Sequence, residues 1–455
     1  MGEKSINYEE LFQLAIDVSL RLNQFGLKRG DILMLHKVSE WELVILLWAC
    51  FLGSFIAFPV NTRYPIETLN TISEELDTGL FISSESNGKS THSPQELFQP
   101  KQVSRSWETI TFDAMAPASL IMTSGSSGAM KYVQHSYQNH LASALGSNAN
   151  IELKAGDRWL LSLPLYHIGG FSLLFRTLLA GATLVLPDEN QSLVTCIREQ
   201  KISHLSLVAT QMLRLTGSKD SVALLQRTKA ILLGGSAIPN SLVQHLLELE
   251  LPFHVSYGST EMASQITTTT PSGRDQALSN SGVLLDGRDL IISHEGEILV
   301  KGDTLAMGYK QRLELIDFRD PEGWFHTGDV GYVNVHGMLT VTGRMDNQFI
   351  SGGENIQPEH IESALGEITG ISTAVVLPID DREFGQRPVA YVHVDQTKIS
   401  AEEINQLLRK SLPGFMIPKA YFLLPTDLLD GGIKISRKKL SQIVNDKNKH
   451  LHSLK

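Results

Sequence analysis

An apolar run ends at Met122 and gives way, within nine residues, to Thr123, Ser124, Gly125, Ser126, Ser127, Gly128 and Lys131. Glycines let backbone N–H groups close on an anion with no Cβ in the way, the hydroxyls add donors, and the lysine supplies charge. That is a phosphate grip. A Walker A loop has the order G-x-x-x-x-G-K-[ST]. Here only two residues separate Gly125 from Gly128, and Lys131 is followed by Tyr132, so a P-loop NTPase is disfavoured. Alone, such a stretch is more often a Ser/Gly-rich surface loop, and the decision rests on what else the chain carries.

Downstream stand Tyr257-Gly258-Ser259-Thr260-Glu261, Trp324-Phe325-His326-Thr327-Gly328-Asp329, Gly343-Arg344-Met345-Asp346 and Gly432-Ile433-Lys434-Ile435-Ser436-Arg437. In that order and at those separations the set resembles the adenylate-forming superfamily of acyl-CoA synthetases, luciferases and peptide-synthetase adenylation domains, over nearly the whole chain. The resemblance implies conversion of a carboxylic acid to an acyl-adenylate by ATP, then displacement of AMP by a thiol, usually that of coenzyme A. Charge then develops on an α-phosphate and a departing pyrophosphate, which calls for donors, a cation and a metal.

On that footing the loop from Thr123 to Lys131 takes the β- and γ-phosphates, and Thr260 and Glu261 take the α-phosphate and Mg²⁺, a hard cation suited to oxygen ligands. Gly235, Ser236, Tyr257 and Gly258 form the adenine pocket, with Tyr257 able to stack on a purine. Asp329 and Arg344 meet the ribose. Lys434 bridges carboxylate and α-phosphate during adenylation, Asp346 is the hinge of a small rotating domain, and Gly352 and Gly353 lie on the face that meets coenzyme A. Three departures stand out: Met130, Tyr132 and Ile433 replace the usual proline, glycine and glycine. The donors are left intact.

Finer wording narrows the resemblance. Val133 to Ala144, Leu163 to Gly170, Glu383 to Ala390 and Gly431 to Arg437 are similar to the family of o-succinylbenzoate–CoA ligases of menaquinone and phylloquinone synthesis. Its substrate carries a second, unreacted carboxylate, whose burial demands a paired cation or several donors. Arg176, in an apolar segment beyond His167, is the expected anchor; the alternative is a snorkelling surface arginine. His167 is expected at the junction of acyl group and pantetheine, and Thr210 and Ser256 beside the ring. An adenylation domain that loads a carrier protein, or a ligase for another acid, would share the phosphate motifs.

Composition excludes other classes. The formal net charge of -10, with no Lys/Arg run, argues against nucleic acid and anionic membranes. Cys50 and Cys196 are too few for a disulfide framework or metal cluster, which points to a reducing cytoplasm. Met1 to Ile6 has neither a signal peptide's apolar core nor an acylation motif. Leu43 to Val60 carries no charge, yet Gly53-Ser54 and Pro59 divide it into a buried helix, a turn and a strand, in preference to a membrane span. The sequence leaves a homodimer open.

The elements that must position these residues alternate. Helical patterns at Tyr8 to Phe25 and Glu42 to Phe51 interleave with strand-like runs at Asp31 to Leu35 and Phe55 to Val60. More strands follow up to His254 to Ser256, which predicts an α/β fold with parallel sheets flanked by helices. Past Asp286, short alternating runs predict a β-rich subdomain. After Asp346 a smaller α+β pattern begins, so the expected division is an AMP-binding adenylation domain over 1–345 and a mobile C-terminal domain over 346–455. Ser5 to Tyr8 is expected to join a strand, with part of the first subdomain missing or abbreviated relative to the family.

Overall fold

A computed structural model of the chain describes residues 5–85, 91–98, 113–124, 130–188, 191–278, 280–394, 399–425, 428 and 437–445. Gly125, Ser126, Ser127, Gly128 and Lys434 lie outside the described residues, as does the side chain of Ser124.

The first helix, Tyr8–Gln24, opens on a reciprocal cap: the Asn7 side chain accepts from the Glu10 amide at 2.9 Å, and the Glu10 carboxylate accepts from the Asn7 amide at 2.9 Å. Residues 5–7 therefore lead into a helix and join no strand, which corrects the expectation for Ser5 to Tyr8. Helix Glu40–Gly53 starts at the Ser39 cap and stops where Ser54 takes a left-handed backbone, φ 58°. Strand Ile56–Pro59 follows at once, so the uncharged run is a buried helix, a turn and a buried strand. Among the described residues no helix is long and apolar enough to cross a membrane.

Four sheets are formed among the described residues. The first, of eight strands, runs in the order Glu314–Ile316, Gly308–Gln311, Met130–Ser136, Pro117–Ser124, Ile56–Pro59, Ile32–His36, Leu80–Ser83, Thr91–His92. Its latter half is parallel, as the alternating pattern predicts. Its first half is antiparallel: Pro117–Ser124 turns back as Met130–Ser136, pairing Thr123 with Lys131, because a connection this short cannot make a parallel crossover. The second sheet repeats the plan. Strands Thr183–Val185, Arg158–Leu160, His204–Leu207, Ala230–Leu233 and Phe253–Ser259 are parallel, and Ser264–Thr268 folds back on the last of them. Both foldbacks carry site residues.

Between the two sheets, Phe51, Phe171, Phe175 and Trp48 form one aromatic cluster within the largest core. The alternating runs past Asp286 build an antiparallel sheet of Arg288–Ile292, Glu297–Gly302, Phe325–Val333 and Leu339–Arg344. A last sheet is dominated by the long hairpin of Ile371–Asp381 with Gly385–Val394. It has its own core against helices Pro358–Gly366 and Ala401–Leu408.

His135, His140 and His254 are buried in these layers, and burial lowers each of them, His135 and His254 to about 4 and His140 well below its ordinary value. In the unfolded chain they bind a proton near pH 6.5, so the unfolded state holds more protons between pH 6.5 and about 4. Their contribution is complete above that window and is lost as the pH falls through it. The unfolding midpoint should drop between pH 7 and pH 5, at up to about 1.4 kcal/mol per histidine per pH unit. A midpoint that holds steady or rises over that range would contradict this.

Candidate active site

The second foldback presents Thr260 and Glu261 in the turn between Phe253–Ser259 and Ser264–Thr268. Gly258 is required there. A Cβ on it would lie 2.0 Å from the Ser264 carbonyl oxygen. The turn closes with Ala263 and Ser264 at φ 50° and 113°, a tight geometry held from outside. His135 Nε2 donates to the Thr260 carbonyl at 2.7 Å, and the Ala306 amide donates to the Glu261 carbonyl at 2.8 Å. The Glu261 carboxylate accepts from the Tyr309 hydroxyl at 2.8 Å, and the Lys131 ammonium sits 4.6 Å from the centre of the Tyr309 ring.

This donor set suits Mg²⁺ of a nucleotide. Such an ion is usually held by one or two carboxylates together with substrate phosphates, and one carboxylate oxygen of Glu261 is already fixed by a phenol. No group of three or more metal-ligating side chains occurs among the described residues.

Asp329 anchors the other end. Its carboxylate accepts from the Tyr257 hydroxyl at 2.6 Å and pairs with Arg344 Nη1 at 3.0 Å. Arg344 also donates to the Thr327 carbonyl at 2.8 Å and reaches Asp346 at 3.1 Å. The Tyr257 phenol is pushed well up, first by burial and then by the Asp329 charge. Gly328 turns the chain at φ 69° with Arg344 pressed against it, so a Cβ there would meet Nη2 at 2.8 Å. The structure thus brings Tyr257, Asp329, Arg344 and Asp346 into one cluster. Gly235, at φ 83°, follows Gly234, whose missing Cβ leaves room for the Ser256 hydroxyl that donates to Leu233 at 2.9 Å.

On the acid side, His167 stands at the start of helix Ile168–Ala180, edge-on to Tyr166 at 4.7 Å, and is lowered by burial and then by Arg63. Arg176 on the same helix is 0% exposed, which excludes the snorkelling alternative. Its Nη2 donates to Ser264 at 3.1 Å and its guanidinium lies over Trp159 at 5.7 Å, while Nε and Nη1 have no partner. Burial, then Arg288, brings it down to about 9. Thr210 is exposed on the first turn of helix Ala209–Thr216. Gly352 and Gly353, at φ 59° and 90°, make the turn between Phe349–Ser351 and Glu354–Ile356, with Phe384 covering the first. Sequence reasoning missed Tyr309 and His135 as site residues. The glycine before Tyr309 was the available signal.

The fold and this site define the class. The pattern of the AMP-binding enzymes matches residues 1–310, and that of the AMP-binding enzyme C-terminal domain matches residues 360–429. The 2-succinylbenzoate–CoA ligase of Salmonella typhimurium is 34% identical over 424 residues, covering 92% of this chain and 88% of that protein. The o-succinylbenzoate CoA synthetase of Bacillus subtilis, solved with its acyl-adenylate intermediate OSB-AMP, superposes with a TM-score of 0.85 at 28% identity, covering 99% of this chain and 95% of that one. The same Bacillus subtilis protein with ATP and magnesium ion gives 0.84 at 29% identity, over 96% and 95%. The chain belongs to the AMP-binding enzymes and, within them, to the family of 2-succinylbenzoate–CoA ligases.

Because the Glu261 turn depends on the approach at Gly258, Gly258→Ala should cost about 1–3 kcal/mol by overpacking against backbone and weaken ATP binding at the same time. Calorimetric ATP binding and a thermal melt, both indistinguishable from wild type, would show that the turn does not need the glycine.

Proposed function

We propose that this protein ligates o-succinylbenzoate to coenzyme A through an acyl-adenylate, in menaquinone or phylloquinone biosynthesis, using ATP and Mg²⁺. The observation that carries the reading is the pair of foldbacks that set Glu261 and Lys131 on one tyrosine, with Asp329 and Arg344 ready for a nucleoside. A carboxylate oxygen of the acid attacks the α-phosphorus, the bond to the bridging oxygen breaks, and pyrophosphate leaves. The thiol sulfur of coenzyme A then attacks the acyl carbon, AMP departs with the former carboxylate oxygen, and the thiol proton goes to solvent. Mg²⁺ held at Glu261 would neutralise phosphate charge. Thr260 with the Thr123–Gly128 loop supplies donors, and Lys434 joins carboxylate and α-phosphate in the first step only.

Arg176 receives the unreacted carboxylate. A wholly buried guanidinium with two unpartnered nitrogens, near a second buried arginine at Arg288, fits an anionic guest better than an empty core. His167, Ser256 and Thr210 complete the acid side, and Gly235, Ser236, Tyr257 and Gly258 the adenine side. We further read 346–455 as a mobile domain hinged at Asp346, whose turn at Gly352 and Gly353 meets coenzyme A in the second step. Cys50 and Cys196 are both free and buried, which suits a reducing cytosol.

AMP release should be followed across a panel of aromatic and aliphatic acids with wild type and Arg176→Ala. O-succinylbenzoate should be the best acid, with free coenzyme A as acceptor, and the variant should lose about 2–5 kcal/mol of acid binding while its KM for ATP stays put. A fatty acid or benzoate turning over faster would overturn the substrate, and a carrier protein outrunning coenzyme A would overturn the acceptor. An unchanged KM for the acid in the variant would remove Arg176 from the pocket.

A further inference from the structure

Tyr309 touches both charged groups assigned above to the departing pyrophosphate and its metal, and nothing so far gives it a role. Its hydroxyl donates to Glu261 Oε1 at 2.8 Å, and the Lys131 ammonium lies 4.6 Å from its ring centre. The contacts follow from register. Gly308–Gln311 pairs antiparallel with Met130–Ser136, so that Tyr309 stands opposite Val133. Side chains alternate along a strand, so Lys131, two residues from Val133, shares the face of Tyr309 as its diagonal neighbour. The residues just before Tyr309 are tied to the same two foldbacks: the Ala306 amide donates to the Glu261 carbonyl and the Met307 amide to the Gln134 carbonyl, each at 2.8 Å.

The placement of Tyr309 is itself constrained. Gly308 has φ 152°, and a Cβ on it would lie 2.4 Å from the Ile316 carbonyl oxygen, so only glycine lets this strand close on its neighbour. Phe318 meets the Tyr309 ring edge-on at 4.9 Å and is backed by Phe325 at 4.8 Å, which leaves the ring little freedom to turn. A carboxylate oxygen only accepts, so at 2.8 Å the Tyr309 hydroxyl is the donor.

We propose that Tyr309 is a positioning residue for metal–nucleotide binding: its hydroxyl aims the Glu261 carboxylate, and its ring holds the Lys131 ammonium in place until phosphate arrives. A carboxylate with one oxygen fixed presents the other in a defined direction, and that is what a metal with strict geometry needs. A cation over a phenol ring is held loosely compared with a charge-assisted bond to phosphate, so the lysine is parked and not trapped. The proposal rests on the assignment of Glu261 and Lys131 given above.

The two tasks separate by substitution. Tyr309→Phe keeps the ring and removes the hydroxyl, whereas Tyr309→Leu removes both; Tyr309→Met replaces the leucine variant if that one does not fold. ATP binding to the full chain is measured by calorimetry over a series of Mg²⁺ concentrations and in chelator, with Glu261→Gln and Lys131→Met alongside. The phenylalanine variant should need about 3- to 10-fold more Mg²⁺ to reach the same ATP affinity, the net worth of one ordinary hydrogen bond felt by the metal through the carboxylate, with metal-free binding unchanged. The leucine or methionine variant should show that shift and also bind metal-free ATP about 2- to 5-fold more weakly, as Lys131→Met does. A phenylalanine variant with wild-type Mg²⁺ dependence overturns the proposal, provided Glu261→Gln shifts it. If Glu261→Gln and Lys131→Met also leave binding unchanged, the assignment of those two residues fails first.

Discussion

A phenol donating to a carboxylate holds each end of the site, and most of the surrounding architecture serves to keep those two bonds short. Tyr257 fixes Asp329 at 2.6 Å and Tyr309 fixes Glu261 at 2.8 Å. The constraint behind them is electrostatic. The chain has a formal net charge of -10 and yet has to receive a polyphosphate, so a carboxylate in the candidate site needs donors that fix its direction. At Glu261 the neutral Tyr309 hydroxyl does this without adding a cation beside Lys131, whereas Asp329 also pairs with Arg344 at 3.0 Å. Both phenols are pushed upward by burial and by the carboxylate they touch, so neither bond is lost to ionisation.

Those bonds depend on the antiparallel foldbacks appended to the parallel strands. One brings Tyr309, from far along the chain, across from Val133, and the other folds Ser264 back against Gly258. Buried polar side chains then tie the pieces together. His135 reaches Thr260, Asn139 donates to the carbonyls of Asp303 at 2.8 Å and Leu305 at 3.0 Å, and Ser143 reaches Ala263 at 2.6 Å. One stretch, from His135 to Ser143, thus holds both the Glu261 turn and the segment leading to Tyr309. Such a network is costly if half satisfied, which makes its members unsuited to casual substitution.

Much of this was legible in the sequence because local rules and tertiary demands agree. The alternation of apolar runs marked Tyr8–Gln24, Ile32–His36, Glu40–Gly53 and Ile56–Pro59 within a residue or two of their bounds. Gly53-Ser54 divided an uncharged run that could be mistaken for a membrane span. Glu261, Asp329 and Arg344 were named by the family resemblance and not by their local sequence; in the fold Asp329 meets Tyr257 and Arg344, and Glu261 meets Tyr309. The antiparallel halves of the sheets were not legible, since strand direction is set by connections and not by periodicity. Tyr309 and His135 were missed for a related reason. Their partners lie 48 and 125 residues away, and only register brings them together.

The account turns on activation of the acid before any thiol is involved, which is measured by exchange of labelled pyrophosphate into ATP with coenzyme A left out. The groups around Glu261, Lys131 and Asp329 should support rapid exchange that requires o-succinylbenzoate and Mg²⁺ and proceeds without the thiol. Exchange that appears only when coenzyme A is added, or release of ADP and phosphate in place of AMP and pyrophosphate, would contradict it.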